Sequence, residues 1–343
     1  MEAMIRPKGR SLKKVLVLGA TGAMGKYLVP LLASLGYEID AVSLDEAPYD
    51  YPNVNNIQAD LNDMDTYRKI VENNYDGIVD FLMYHTSTAA TRLPYITANC
   101  GHYIFLSTYR VYDNKELPIK ESSSRIYDTG DDPLIRYSDD YCIFKARGEE
   151  IIKLQQKNNW TIIRPAITYS YLRNQLVTLE VHDTVGRARM DKTVVLPEQA
   201  RNVQATMSWA GDVAKMIAGI LFNSNALGEI YIVSTAEHHT WEEVADYYKD
   251  ICNMKVLWVD KEEYISIMNP FPYNKVPRWQ LEYDRLFDRV MDNSKILALT
   301  GMKQQELMPL YDGLKYEINR IPENFQWRVR ESMDAYLAER NMK

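Results

Sequence analysis

"KKVLVLGATGAMGKYLVPLLASLGYEIDAVSLDEA", residues 13 to 47, decides the fold. Val15 to Leu18 is a short apolar run, the pattern of a strand buried on both faces of a parallel sheet. Gly19, Gly22 and Gly25 follow at once. A helical spacing then sets Leu28, Leu31, Leu32 and Leu35 on one face, closed by Gly36. A second strand, Ile39 to Leu44, ends at Asp45. Pro30 falls inside the helix, where it removes a hydrogen bond and predicts a kink.

Strand, glycine turn, helix, strand and acid stand in the order a dinucleotide site requires. Glycines let the backbone turn tightly and approach a pyrophosphate, and the helix N-terminus offers N–H groups and a positive dipole end to its charge. The candidate contacts are Gly19, Thr21, Gly22, Ala23, Met24 and Gly25. Asp45 lies twenty residues beyond Gly25 (45 − 25). A carboxylate there accepts from both ribose hydroxyls and repels a 2′-phosphate. Glu46 follows and no arginine is adjacent, so the expected cofactor is NAD rather than NADP.

The alternation continues. "NNIQADLND", "DGIVDFLMY", "HYIFLST" and "WTIIRP" read as strands, with helices over 63–73 and from about Ser138 to Gln156. This predicts an α/β, Rossmann-type doubly wound parallel sheet. The ligand crevice of such a sheet opens at the C-terminal strand ends, where Thr21, Asp60, Leu61, Tyr84, Thr108 and Pro165 stand. After Tyr169 the rhythm loosens, although "AGDVAKMIAGILF" reads as a helix and "GEIYIVS" as a strand. Thr240 and Glu243 form a capping box, and "PENFQWRVRESMDAYLAERNMK" reads as an amphipathic helix. The expected organisation is a flexible leader over 1–12, an NAD-binding domain over 13–168 to which 206–235 return, and a smaller C-terminal substrate-binding lobe over 169–343.

The bulk numbers exclude some classes. A net charge of −7 over 343 residues argues against a nucleic-acid binder. No apolar run reaches the roughly 18 residues a membrane span needs. Three cysteines without close spacing, and a basic N-terminus with no apolar core behind it, point to the cytoplasm. The histidines show no metal pattern; His238 and His239 are adjacent and cannot chelate as an i, i+4 pair.

Tyr-x-x-x-Lys occurs twice, at Tyr141 with Lys145 in "YCIFK" and at Tyr311 with Lys315 in "YDGLK". The spacing puts both side chains on one helix face. Only the first pair lies one strand after "FLSTYRVY", beside the expected crevice; the second reads as structural.

With "GATGAMG", Asp45, Asp60–Leu61, "FLSTYRVY", "YCIFK", "IIRPAITY" and "WAGDVAKMI" in this order, the chain resembles the extended short-chain dehydrogenase/reductases, and within them the NAD-dependent epimerase/dehydratase group. The resemblance covers roughly residues 13 to 235. It implies a catalytic trio of Thr108, Tyr141 and Lys145: Tyr141 as the phenolate base, Lys145 stabilising the phenolate and holding the nicotinamide ribose, Thr108 orienting the substrate oxygen. The acidic pair that dehydratases carry after the threonine is replaced by Tyr109 and Arg110, which argues against a 4,6-dehydratase.

The expected function is therefore an NAD-dependent epimerase-type oxidoreductase acting on a sugar, carried on a nucleotide diphosphate, with a homodimer as the assembly to look for. Arg110, Arg187, Arg189, Arg278 and Arg285 are candidates for the substrate phosphates, and Trp279 and Tyr283 for stacking on a base. The alternatives are a net dehydrogenase or reductase on a non-nucleotide sugar or alcohol, and a non-catalytic dinucleotide sensor.

Overall fold

The structure, a computed structural model, describes residues 13–269 and 276–342. The leader over 1–12 and part of the proline-rich loop "NPFPYNKVPRW" lie outside the described residues. Seven strands form one sheet: β1 (Lys14–Leu18), β2 (Glu38–Ser43), β3 (Val54–Gln58), β4 (Tyr75–Asp80), β5 (Cys100–Leu106), β6 (Trp160–Ile163) and β7 (Glu229–Tyr231). Their order across the sheet is β7-β6-β5-β4-β1-β2-β3, and every neighbouring pair is parallel. The chain leaves β1 toward one edge and returns to β4 on its other side, so the order reverses between β1 and β4. A crevice opens at such a reversal, outside the carboxyl ends of the strands.

Strand alternation explains why β1 is apolar throughout. Val15 and Val17 face one helical layer, α1 (Gly25–Ser34) and α5 (Ala210–Ile220), meeting Leu28, Leu32, Val213 and Ile217. Leu16 and Leu18 face the other layer, α2 (Met64–Val71) and α3 (Thr86–Ala98), with Tyr67, Ile70, Leu93 and Ile96. Both sides of the strand are thus sealed from water, at about 1.5–3 kcal/mol for each large side chain buried. The helix α4 (Tyr141–Lys153) joins the second layer through Ile152. Residues 207–231 return to this unit: Met207–Trp209 pairs with Ile167–Tyr169, α5 packs on the sheet, and β7 extends it.

A further core gathers Tyr169, Leu176, Val194–Leu196, Trp241, Leu310 and Leu314. The Thr240–Glu243 capping box opens Trp241–Cys252 as expected. Helix α1 includes Pro30 within its length. One expectation changes. The C-terminal helix is confined to Glu331–Ala338, because the residues before it are claimed by tertiary contacts: Trp327 packs on the space a side chain at Gly186 would fill, and Arg330 binds Asp183 at 2.6 Å.

Candidate active site

A cleft of about 700 Å³ lies along the C-terminal ends of β1 to β6. The glycine turn forms one wall. The N–H groups of Gly19 and Ala20 both donate to the Val42 carbonyl, at 2.9 and 3.0 Å, which ties the turn to β2. Gly19 has φ +76°, a left-handed conformation that favours glycine. A Cβ on Gly25 would lie 2.1 Å from the Ala20 carbonyl oxygen, so this glycine lets α1 close onto the turn. No side chain caps α1, whose N-terminus follows the cleft-lining residues Thr21 to Met24. Lys26 and Tyr27 donate to the Gly22 and Met24 carbonyls, both at 3.1 Å, which leaves the amides of Ala23, Met24 and Gly25 available to an anion.

Asp45, at the end of β2, is exposed on the cleft, and its carboxylate has no hydrogen bond or ion pair among the described residues. Across from it, Arg92 donates to the carbonyls of Leu61 and, at 2.8 Å, Asn62, while Asp60 accepts from the Asn62 N–H at 2.9 Å. These bonds shape the loop after β3. A bare backbone cradle, an uncapped helix end and a free carboxylate at ribose distance in sequence fit an adenine dinucleotide. Asp45→Asn is expected to weaken NAD binding about tenfold to a hundredfold, the worth of a charged hydrogen bond, and to narrow the preference over NADP. Calorimetric titration with each nucleotide checks it.

At the other end, α4 begins at Tyr141 because Asp140 caps it, accepting from the Cys142 N–H at 3.1 Å. Lys145, one turn on, is 1% exposed and donates to the carbonyls of Leu106 at 2.6 Å and Leu82 at 3.1 Å. Its Nζ stands 5.9 Å from the centre of the Tyr141 ring. Burial lowers its pKa to about 8, against the pull of Asp80 and Glu149. Thr108, at the end of β5, caps a short 3₁₀ turn by accepting from the Arg110 N–H at 3.2 Å.

The resemblance implies that Lys145 stabilises the Tyr141 phenolate, but the charges acting on the phenol are led by arginines, and its pKa stays above the ordinary tyrosine value. Burial pushes the phenol up, and the groups pulling it back are Arg110, Arg173 and the Thr108 hydroxyl, with Asp284 opposing them. The Arg110 guanidinium lies 5.2 Å from the ring centre. Lys145 is engaged by backbone carbonyls, so the arginines carry the nearer positive field.

The far end of α4 fixes the register of its first turns. Glu149, fully buried, accepts from Arg164 at 2.8 and 2.6 Å and from the Ser107 hydroxyl. Arg164 follows β6 and Ser107 follows β5, so α4 is fastened to the ends of both strands. Burial opposes ionisation of Glu149, but Arg164, Ser107 and Arg125 together hold it below the usual carboxylate range.

Gly19, Thr21, Gly22, Ala23, Met24, Asp45, Asp60, Leu61, Tyr84, Thr108, Tyr141, Lys145 and Pro165 all line this one cleft, while Gly25 acts behind it. Of the arginines, Arg110 and Arg285 line it. Arg285 is fully engaged, donating to Val177 and Tyr109 at 2.6 Å and to Gln175 at 3.1 Å, besides Asp284. The structure does not bring the other three to the cleft. Arg187 is buried against the Thr193 carbonyl and Asp334, Arg189 serves the carbonyls of Ile318, Ile321 and Pro322, and Arg278 pairs with Glu262 and Glu282. Trp279 and Tyr283 pack beside Ile126 and Ile135, with Tyr283 bonded to Asp132 at 2.5 Å. Tyr311 bonds Asp250, outside the cleft lining.

Sequence reasoning missed Arg173. It lies on the cleft, exposed, with no ion pair among the described residues, close enough to act on the Tyr141 phenol. Its signal was its place four residues past "IIRPAITY", whose Pro165 to Thr168 also line the cleft.

A doubly wound parallel sheet with a dinucleotide cradle at its switch point, and a Thr, Tyr and Lys gathered at the same rim, defines a nicotinamide-dependent enzyme of the extended short-chain dehydrogenase/reductase class. The chain belongs to the NAD dependent epimerase/dehydratase family, whose sequence profile matches residues 15–234. NAD is the cofactor of that family. Solved structures agree in fold. The epimerase Mth375 of Methanothermobacter thermautotrophicus is 13% identical with a TM-score of 0.70, covering 90% of this chain and 91% of its own. UDP-glucose 4-epimerase of Thermus thermophilus, complexed with NAD, is 17% identical with a TM-score of 0.65, covering 89% and 98%. MoeE5, in complex with UDP-glucuronic acid and NAD, is 14% identical with a TM-score of 0.65, also covering 89% and 98%. No curated protein sequence matches the chain. No helix among the described residues is long and apolar enough to cross a membrane.

Proposed function

We propose that the protein is an NAD-dependent epimerase of nucleotide-diphosphate sugars, with Tyr141 as its acid–base. The observation that carries this reading is the placement of Thr108, Tyr141 and Lys145 on the same cleft wall, continuous with the glycine cradle. The nucleotide sugars and NAD held by structures of the same fold support the substrate class.

When bound, NAD supplies the acceptor and then the donor of a hydride. Tyr141, as phenolate, takes the proton from a sugar hydroxyl as that carbon becomes a ketone, and gives the proton back when the carbon is reduced from its other face. Thr108 holds the hydroxyl oxygen in line. Arg110 and Arg173 favour the ionised phenol and partly offset the burial that holds its pKa above the ordinary tyrosine value. Arg173 supplies an unpaired cation for the substrate's diphosphate, the task expected of the arginines that the fold employs elsewhere.

The test is incubation of the purified protein with a panel of UDP- and dTDP-sugars, followed by chromatographic separation of isomers and assay of retained nicotinamide. We expect an epimer to form with no accumulation of NADH. NADH released in proportion to substrate consumed would instead make the protein a dehydrogenase, and absence of chemistry with every sugar would overturn the reading.

A further inference from the structure

The last residue of β4 is a fully buried carboxylate, Asp80. Asp80 sits at the middle of the sheet, opposite Leu18 of β1 and Phe105 of β5, and is 0% exposed. Both of its oxygens are filled by donors. Oδ1 accepts the Leu82 N–H at 2.9 Å; Oδ2 accepts the hydroxyls of Tyr84 at 2.8 Å and Tyr103 at 2.7 Å. Three converging donors suit an ionised carboxylate, which is acceptor-only. It forms no ion pair within direct contact among the described residues.

The cation that acts on it is Lys145. The two are joined through one residue: Asp80 holds the Leu82 N–H, and Lys145 donates to the Leu82 carbonyl, in the next peptide unit, at 3.1 Å. The other charged and titratable groups around them are committed. Glu149, on the lysine's own helix, belongs to Arg164 and Arg125. Arg92, from α3, serves the loop after β3 and faces the rings of Tyr67 on α2 and Tyr84. Tyr141 faces Arg110.

We propose that Asp80 is a positioning residue that serves as the buried counter-ion of Lys145, keeping the ammonium charged and, through the backbone of Leu82, aimed at the cleft. The pairing is reciprocal. Burial drives the Asp80 carboxyl up and the Lys145 amine down, and each charge opposes the loss of the other. The inference rests on Lys145 serving the site as proposed above. It goes beyond that reading because it assigns a task to a residue that touches neither substrate nor reacting atoms.

The experiment reads the amine directly and needs no substrate. Lys145 in the full-length protein is acetylated with acetic anhydride across a pH series, against a free-lysine standard, and the modified peptide is quantified by mass spectrometry. Wild-type labelling should titrate at about 8. Asp80→Asn, nearly isosteric and still able to accept from Leu82, should move that titration down by at least about one pH unit. The alkaline limb of kcat/KM should move with it wherever turnover is measurable. A titration unchanged by Asp80→Asn overturns the proposal. Should that variant not fold, Tyr84→Phe combined with Tyr103→Phe strips two donors from the carboxylate and should shift Lys145 in the same direction; no shift there overturns it as well. Shifted labelling without any sugar chemistry would refute the proposed function while upholding Asp80.

Discussion

Tyr141→Phe lowers the rate of hydride transfer by about 10³-fold, within the range for loss of a positioned acid–base, and leaves NAD affinity within about twofold because no fixed part of the dinucleotide cradle changes. The variant removes one oxygen and little else. The ring keeps its edge contact with Phe144, at 5.4 Å between centres, and its place beneath Arg110. Stability is expected to stay within about 1 kcal/mol, since the half-buried phenol loses a modest desolvation cost together with its interaction with the Thr108 hydroxyl. Single-turnover reduction of bound NAD by a reactive sugar measures the chemical step apart from binding and release. The acidic limb of the pH–rate profile should vanish with the hydroxyl. Tyr311→Phe is the matched control: it has the same spacing to a lysine, but its hydroxyl bonds Asp250 away from the cleft lining, and its rate should be that of wild type. Transfer within tenfold of wild type in Tyr141→Phe would remove the base from the proposed mechanism.

That control shows where the sequence was informative. The two Tyr-x-x-x-Lys pairs are alike in spacing, and only their position relative to the strands separates them. Position relative to strands is a short-range property here: the apolar β1, the three glycines, α1 and Asp45 all fall within 33 residues (45 − 13 + 1), so local pattern suffices. The same holds for Thr108, Tyr84 and Pro165, each placed by the strand that precedes it.

The arginines were not legible in this way. Arg187 reaches Asp334 and Arg189 reaches the 318–322 carbonyls, contacts set by the path of the last third of the chain. Sequence reports that a guanidinium exists, but not whether a distant carbonyl or carboxylate has already claimed it. Arg173 is free for the converse reason, because no described acid comes to it. The C-terminal stretch 322–330 failed similarly: its pattern is compatible with a helix, but Phe325 and Trp327 are drawn onto His182 and Gly186. The field around Tyr141 depends on Asp284, more than 140 residues away (284 − 141 = 143), which no local motif encodes.

Gly25→Ala should abolish measurable NAD retention, a loss of at least about a hundredfold in affinity, at a stability cost near 2 kcal/mol, within the usual range for overpacking. The added methyl would sit 2.1 Å from the Ala20 carbonyl oxygen and 2.8 Å from its Cα, and both atoms are backbone. Neither can swing away as a side-chain tip would. Ala20 is itself fixed by its hydrogen bond to Val42 at 3.0 Å, so α1 must withdraw by about an ångström for ordinary contact distances to be restored. Better helix propensity of alanine returns at most about 1 kcal/mol, too little to offset the clash. Withdrawal carries the uncapped amides away from the turn, and a diphosphate can no longer meet both. Gly22→Ala separates the two consequences. Its Cβ meets only the Gly19 carbonyl oxygen, at 3.1 Å, a contact that a small shift relieves, but it stands on the cleft wall. That variant should lose NAD affinity while keeping its unfolding midpoint within a degree or two, corresponding to about 0.5 kcal/mol or less. Calorimetric titration with NAD and thermal unfolding of both variants make the comparison. Equal losses of stability in the two, or undiminished NAD binding in Gly25→Ala, would show that the third glycine does not set the approach of α1 to the sheet.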